Sequence, residues 1–139
     1  NYLCEPVQHY GFYLTPLQNF EKGKTVFYPH GYSNYFFHPT HPHELIIVST
    51  ENNKVSILNC LSGEIVRTIS KGKEYAFCNI DPVTGNYLFR NSYYVLITNE
   101  NGDELFRMRS EDASPYLANN ILTCWAGAAI NVEPYLKKP

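Results

Sequence analysis

Residues 37–69 read FHPTHPHELIIVSTENNKVSILNCLSGEIVRTI, and residues 77–109 read FCNIDPVTGNYLFRNSYYVLITNENGDELFRMR. Laid over each other at a constant offset of 40, they match at Phe37 and Phe77, Pro42 and Pro82, Val55 and Val95, and Ile57 and Ile97. The match continues at Asn59 and Asn99, Glu64 and Glu104, and Arg67 and Arg107, and Tyr35 with Tyr75 extends it upstream. Conservative pairs such as Val48 with Leu88 and Ile65 with Leu105 fill the intervals. The offset reaches backward more weakly, placing Leu17 on Ile57, Asn19 on Asn59 and Gly23 on Gly63. It fails forward, where Tyr75 would fall on Pro115. Self-similarity at a fixed period means that one supersecondary unit recurs along the chain.

Each unit reads as four short strands. In the first, residues 33–38, 45–50, 54–59 and 64–69 are apolar, β-branched or alternating runs, too short for helices. Pro39-Thr40-His41-Pro42, Glu51-Asn52-Asn53 and Leu61-Ser62-Gly63 supply the turns between them. The second unit repeats this over residues 74–79, 87–90, 93–98 and 104–109. Four strands in about 40 residues is the spacing of a β-propeller blade. The expected fold is therefore all-β: consecutive four-stranded antiparallel blades forming part of a ring. Residues 1–30 would end one blade, 33–70 and 74–110 would be whole blades, and 113–139 an atypical tail or the start of a further blade. A small β-sandwich or barrel is the alternative, since short strands at this spacing also build those folds. In the tail, Ser114-Pro115 reads as a helix opening. Asn119-Asn120 and Gly127 weaken a helix, which favours an innermost strand around residues 121–125.

One blade cannot cover both faces of its own sheet, so blades stack around rings of about four to eight. A chain of 139 residues is too short to close such a ring. A longer polypeptide, other chains or further copies would have to complete it. The absence of a starting Met accords with a processed or excised segment.

Composition narrows the function classes. The chain is 44% hydrophobic and 17% charged with a net charge of −2, which suits a folded domain rather than a disordered one. Its basic residues occur as short separated pairs such as Lys71/Lys73 and Arg107/Arg109, unlike the clustered basic face of a nucleic-acid binder. No apolar run approaches the roughly 18 residues of a membrane helix, and residues 1–5 lack a basic start followed by an apolar stretch. Cys4, Cys60, Cys78 and Cys124 are widely spaced, without the paired spacing of a zinc site, and read as buried free thiols. The expected location is cytoplasmic or nuclear.

His38, His41 and His43, with Glu44 adjoining, form the one ligand-like cluster. Pro39 and Pro42 interrupt it, so the expectation is a solvated proline turn and no metal site. No nucleophile elbow, phosphate-cradling loop or dinucleotide fingerprint is present. Cys124 beside Trp125 reads as a core thiol, and the acids fall mostly in turns or on outward strand positions. No catalytic residue and no cofactor is expected. The consecutive Tyr35-Phe36-Phe37 must point to both faces of a strand, which suits a sheet covered on both sides.

The stretch Phe37 to Ile69 is similar to a WD-repeat blade of a β-propeller. Asn52-Asn53 stands at the hairpin, Leu58-Asn59 where that family carries Trp-Asp, and Ser62-Gly63 at the last turn. In the second unit Thr98-Asn99 and Asn101-Gly102 hold the last two places. The Trp-Asp and Gly-His signatures are absent. The resemblance implies a non-enzymatic scaffold that docks protein or peptide partners at the rim or central opening. Tyr32, Tyr35 and Trp125 are the expected binding residues, because Tyr and Trp dominate interface hot spots. The alternatives are a propeller enzyme or cofactor-binding domain completed by other blades, and a secreted disulfide-bonded domain that binds carbohydrate or a host protein.

Overall fold

The computed structural model describes residues 2–7, 11–16, 26–28, 33–111, 114–124 and 127–138. Strands β1 (Tyr2–Val7), β2 (Gly11–Pro16) and β3 (Val26–Tyr28) form a first, three-stranded sheet. A four-stranded sheet follows, with β4 (Ser33–Phe37), β5 (Glu44–Ser49), β6 (Val55–Asn59) and β7 (Ile65–Ile69). The second four-stranded sheet contains β8 (Ala76–Ile80), β9 (Tyr87–Arg90), β10 (Tyr94–Thr98) and β11 (Glu104–Arg109). The last, three-stranded sheet is β12 (Tyr116–Ala118), β13 (Ile121–Thr123) and β14 (Ala129–Asn131), followed by a 3-10 turn over Glu133–Tyr135. Every sheet is an antiparallel meander with its strands in chain order. Among the described residues no helix is long and apolar enough to cross a membrane.

The sheets stack face to face, and strand alternation explains how. Successive side chains of β5 point to opposite faces, and all four central ones are buried. Leu45 and Ile47 join Leu58, Tyr35, Cys4 and Cys60 in a layer against the first sheet. Ile46 and Val48 join Val55, Ile57 and Ile69 against Tyr75, Ile80, Tyr87, Phe89 and Leu96 of the next sheet. That sheet in turn presents Leu88, Val95 and Ile97 to Leu117, Leu122 and Val132 of the last one. Each fully buried aliphatic side chain contributes about 1.5–3 kcal/mol. Among the described residues, three apolar layers between four sheets exclude the sandwich alternative, which has two sheets and one layer, and the separate sheets exclude a barrel.

The repeat is present, but its spacing is not constant. Phe37 pairs with Leu45 and Ile80 with Tyr87, so Phe37 corresponds to the residue 43 positions on. Val48 pairs with Val55 where Arg90 pairs with Val95, an offset of 42 on one strand and 40 on the next. Val55 also faces Ile69 where Val95 faces Met108, an offset of 39. Each hairpin changed length by a residue or two while the strands kept their pairing. The matches in β6 and β10 are therefore true counterparts. Tyr35/Tyr75, Pro42/Pro82 and Arg67/Arg107 are not.

In the tail, the strand expected near residue 121 is present as β13, but its place in the sheet differs from expectation. Ser114-Pro115 leads into β12 and opens no helix. Asn119 and Asn120 take φ of 50° and 60°, a left-handed pair that makes a tight hairpin from β12 to β13. The innermost strand is β12, and β13 lies second in the sheet. Beyond β14, Val132 is buried and Lys137 N–H reaches back to the Leu105 carbonyl of β11 at 2.8 Å.

Candidate functional site

The turns that leave the first strand of the two four-stranded sheets gather polar chemistry. In the second four-stranded sheet this turn runs over residues 81–86 and is closed by Asp81 N–H to the Asn86 carbonyl, 2.8 Å. Asp81 is fully buried. Its Oδ1 accepts from the backbone N–H of Val83 (2.8 Å) and Thr84 (3.3 Å) in its own turn, and of Asn119 (2.8 Å) in the last sheet. Its Oδ2 accepts from Asn120 N–H at 2.9 Å. Burial alone would raise its pKa, but these hydrogen bonds outweigh it and hold the carboxyl below its ordinary value. One carboxylate thus shapes its own turn and clamps the next sheet.

In the first four-stranded sheet the corresponding residue is His38. Its N–H closes the turn on the Glu44 carbonyl at 3.0 Å, as Asp81 does on Asn86. Its Nδ1 accepts from the backbone N–H of Thr40 and of His41, both at 3.2 Å. The imidazole performs the task of the Asp81 carboxylate, and His-Pro and Asp-Pro are the matching dipeptides. A constant offset of 40 concealed this by laying Asp81 on His41.

Around His38 lies a charged cluster between the two sheets. Glu44 Oε2 accepts from Arg67 Nη2 at 2.6 Å and lies 4.0 Å from His38 Nε2. The rings of His38 and His41 stack at 4.4 Å, and His38 meets Tyr87 edge-on at 6.4 Å. His41 Nε2 reaches Glu100 of the neighbouring sheet at 3.7 Å. Burial first, then His41 and Arg67, pushes the His38 pKa down to about 4.

His38, His41 and Glu44 bring ligand-type atoms within 4.8 Å of one another, yet the donor set does not suit a cation. A metal-binding imidazole normally donates its second N–H to an acceptor and leaves the other nitrogen free. In His38 the pattern is reversed: Nδ1 accepts two amides, so the proton of the neutral ring sits on Nε2, the atom that faces Glu44. Arg67 already occupies the Glu44 oxygen. His43 is exposed and lies outside the group.

Two concavities flank these turns. A polar cleft of about 370 Å³ is lined by Thr40, His41, Thr84, Asn86, Asn99 and Glu100, among others. An apolar groove of about 180 Å³ runs where β4, β8 and β12 converge, lined chiefly by Phe36, Phe37, Pro39, Phe77, Pro82 and Tyr116. Phe36, Phe37 and Tyr116 are each about half exposed. Phe36 meets Phe77 at 6.1 Å, and Phe77 meets Phe89 at 5.9 Å, so the groove floor is continuous with the core.

Of the expected binding residues, Tyr35 is half-buried on the Leu45, Ile47 and Leu58 layer, on the opposite face of β4 from Phe36. Tyr32 and Trp125 lie outside the described residues. The groove residues were legible only as aromatic content, because their convergence depends on three strands far apart in sequence.

Meandering four-stranded sheets stacked in chain order, with β8 and β12 joined side by side through Asn79 and Leu117, define the chain as consecutive β-propeller blades. It is similar in structure to the crystal structure of BamB from Moraxella catarrhalis, with a TM-score of 0.54 and 19% sequence identity. The match covers 87% of this chain but 38% of that one, so the chain spans less than two fifths of that structure's length. The likeness is one of fold. Neither a protein-family model nor a curated protein sequence matches the chain.

Proposed function

We propose that this chain is an arc of a β-propeller that works as a non-enzymatic protein-interaction scaffold. A partner peptide docks across the apolar groove of Phe36, Phe37 and Tyr116 and the polar cleft lined by Thr40, His41, Thr84 and Asn86, and further blades or chains complete the ring. The observation that carries this reading is the aromatic groove of Phe36, Phe37 and Tyr116 beside a polar cleft. An apolar anchor pocket with a polar rim is the usual layout of a docking site. The propeller fold supports it by analogy, as does the place of Asn59 and Asn99, which stand where WD-repeat blades carry Asp. The most engaged carboxylates also fit a structural role. Asp81 accepts backbone amides and Glu44 holds Arg67, which leaves neither as an available general base.

The test is a selection of displayed peptides on the purified chain, followed by titration of the selected peptides. Apolar-anchored peptides should bind, and Phe36→Ser and Tyr116→Ser should each weaken them at least tenfold, about 1.4 kcal/mol. Selected peptides that bind both variants as tightly as the original chain would remove the groove from the reading.

A further inference from the structure

His38 and Asp81 hold corresponding turns with the same two local hydrogen bonds, but the acceptors differ in what acid does to them. A carboxylate that takes four backbone amides keeps its charge below the ordinary carboxylate range. An imidazole Nδ1 that accepts two amides loses both when it takes a proton, because the same lone pair is used.

We infer that His38 is an acid-operated catch on the proposed docking face: neutral, it closes its turn and positions His41 toward Glu100 across the blade junction, and protonated on Nδ1 it releases the turn and weakens partner binding. This rests on the docking reading above for its consequence, though not for its mechanism. The side chain is 1% exposed, and its Nε2 has no hydrogen-bond partner. The titratable and charged groups that face it are Glu44 from β5, Arg67 from β7, Tyr87 from β9, and His41 from its own turn. Glu100, in the turn between β10 and β11, faces it through His41. Glu44 would favour a charged imidazole, but it already accepts from Arg67 at 2.6 Å, and Arg67 and His41 both oppose a new cation. Thr40 and His41, whose amides lose their acceptor, both line the polar cleft, so the release reaches the docking face directly.

The sign follows from linkage. The folded state holds His38 at about 4 against an ordinary 6.5, so an open turn binds more protons than a closed one between those values. The closed turn is fully favoured above about pH 6.5 and is lost as the pH falls through about 4. Asp81 titrates lower, so its turn stays closed in that window.

The experiment is amide hydrogen exchange on the free protein, corrected for intrinsic rates, at Thr40 and His41, with Val83 and Thr84 as the internal comparison. The open fraction of the first turn should rise about 40-fold between about pH 6.5 and about pH 4.5, while the second turn does not change. His38→Asn, which keeps an acceptor but cannot be protonated there, should abolish the rise. An unchanged first turn, or the same rise in His38→Asn, overturns the proposal. Should that variant not fold, the imidazole resonance of His38 in the unaltered protein decides. A midpoint near 4 coincident with loss of Thr40 and His41 protection supports the catch, and a midpoint near 6.5 with the turn intact sinks it. Because this reading needs no partner, its failure is separate from failure of docking, which shows as absent peptide binding at neutral pH.

Discussion

Asn79 grips the backbone of Leu117 at two points: its Nδ2 donates to the Leu117 carbonyl at 2.8 Å, and its Oδ1 accepts the Leu117 N–H at 3.1 Å. A carboxamide offers a donor and an acceptor in one plane, so it mimics a peptide group and extends sheet-like pairing from β8 to β12. Asn79→Ala should destabilise the protein by about 1–3 kcal/mol, since both partners are left without their hydrogen bonds. Chemical denaturation followed at a probe in the last sheet would measure this, and a neutral outcome would mean that water replaces the amide freely.

Asp81 should be costlier to remove. Asp81→Ala strips the acceptor from four backbone N–H groups, two of them in a different sheet, and a loss of about 3 kcal/mol or more is expected. The unaltered carboxylate contributes above its ordinary pKa, and that contribution disappears only as the pH falls through its lowered folded value. Acid denaturation of Asp81→Asn should therefore lack this last transition.

Glu44 and Arg67 should show strong non-additivity. Glu44→Leu alone leaves the Arg67 guanidinium beside Tyr87 without its carboxylate, and Arg67→Met alone leaves a half-buried carboxylate near His38. Each single change should cost more than the double change, because an unpaired buried charge is worse than none. A double-mutant cycle on thermal stability gives the coupling directly.

Zinc should not stabilise the protein. With His38 Nδ1 occupied by two amides and Glu44 held by Arg67, thermal midpoints with added zinc ion and with a chelator should coincide. A zinc-dependent rise that vanishes in His41→Ala would contradict the donor assignment at His38.

Three thiols should resist modification while the protein is folded. Burial pushes the pKa of Cys4, Cys60 and Cys78 up to about 11, and only the thiolate is nucleophilic. Alkylation near neutral pH should proceed slowly at these sites and accelerate on unfolding, with the adduct count read by intact mass.

How much of this was legible in the chain differs from strand to strand. Val55, Ile57 and Asn59 announced their counterparts Val95, Ile97 and Asn99 because β6 and β10 have two covered faces and a capped exit. Asn59 and Asn99 each use Oδ1 to accept amides of the turn that follows, 2.9 Å to Leu61 and 3.0 Å to Asn101. Hairpin lengths carry no such constraint, since a residue more or less in a surface turn costs little. The offset therefore drifts from 43 to 39 along one unit, and equivalences inferred across the turns failed. His38 illustrates the result. Its setting beside Pro39 suggested a solvated turn, but its burial depends on Tyr87, which belongs to a different sheet. Nothing local to residues 38–44 encodes that.

The three apolar layers give the molecule the energetics of a short one-dimensional stack. Each sheet is held by its immediate neighbours, so damage spreads along the stack rather than through the whole. A cavity among Leu88, Leu117 and Leu122 would loosen the terminal sheet and leave the rest standing. A cavity of the same size at Ile57 or Phe89, in the layer shared by both four-stranded sheets, would divide the arc into two weakly coupled halves. Cooperativity in this protein is accordingly a property of its middle layer.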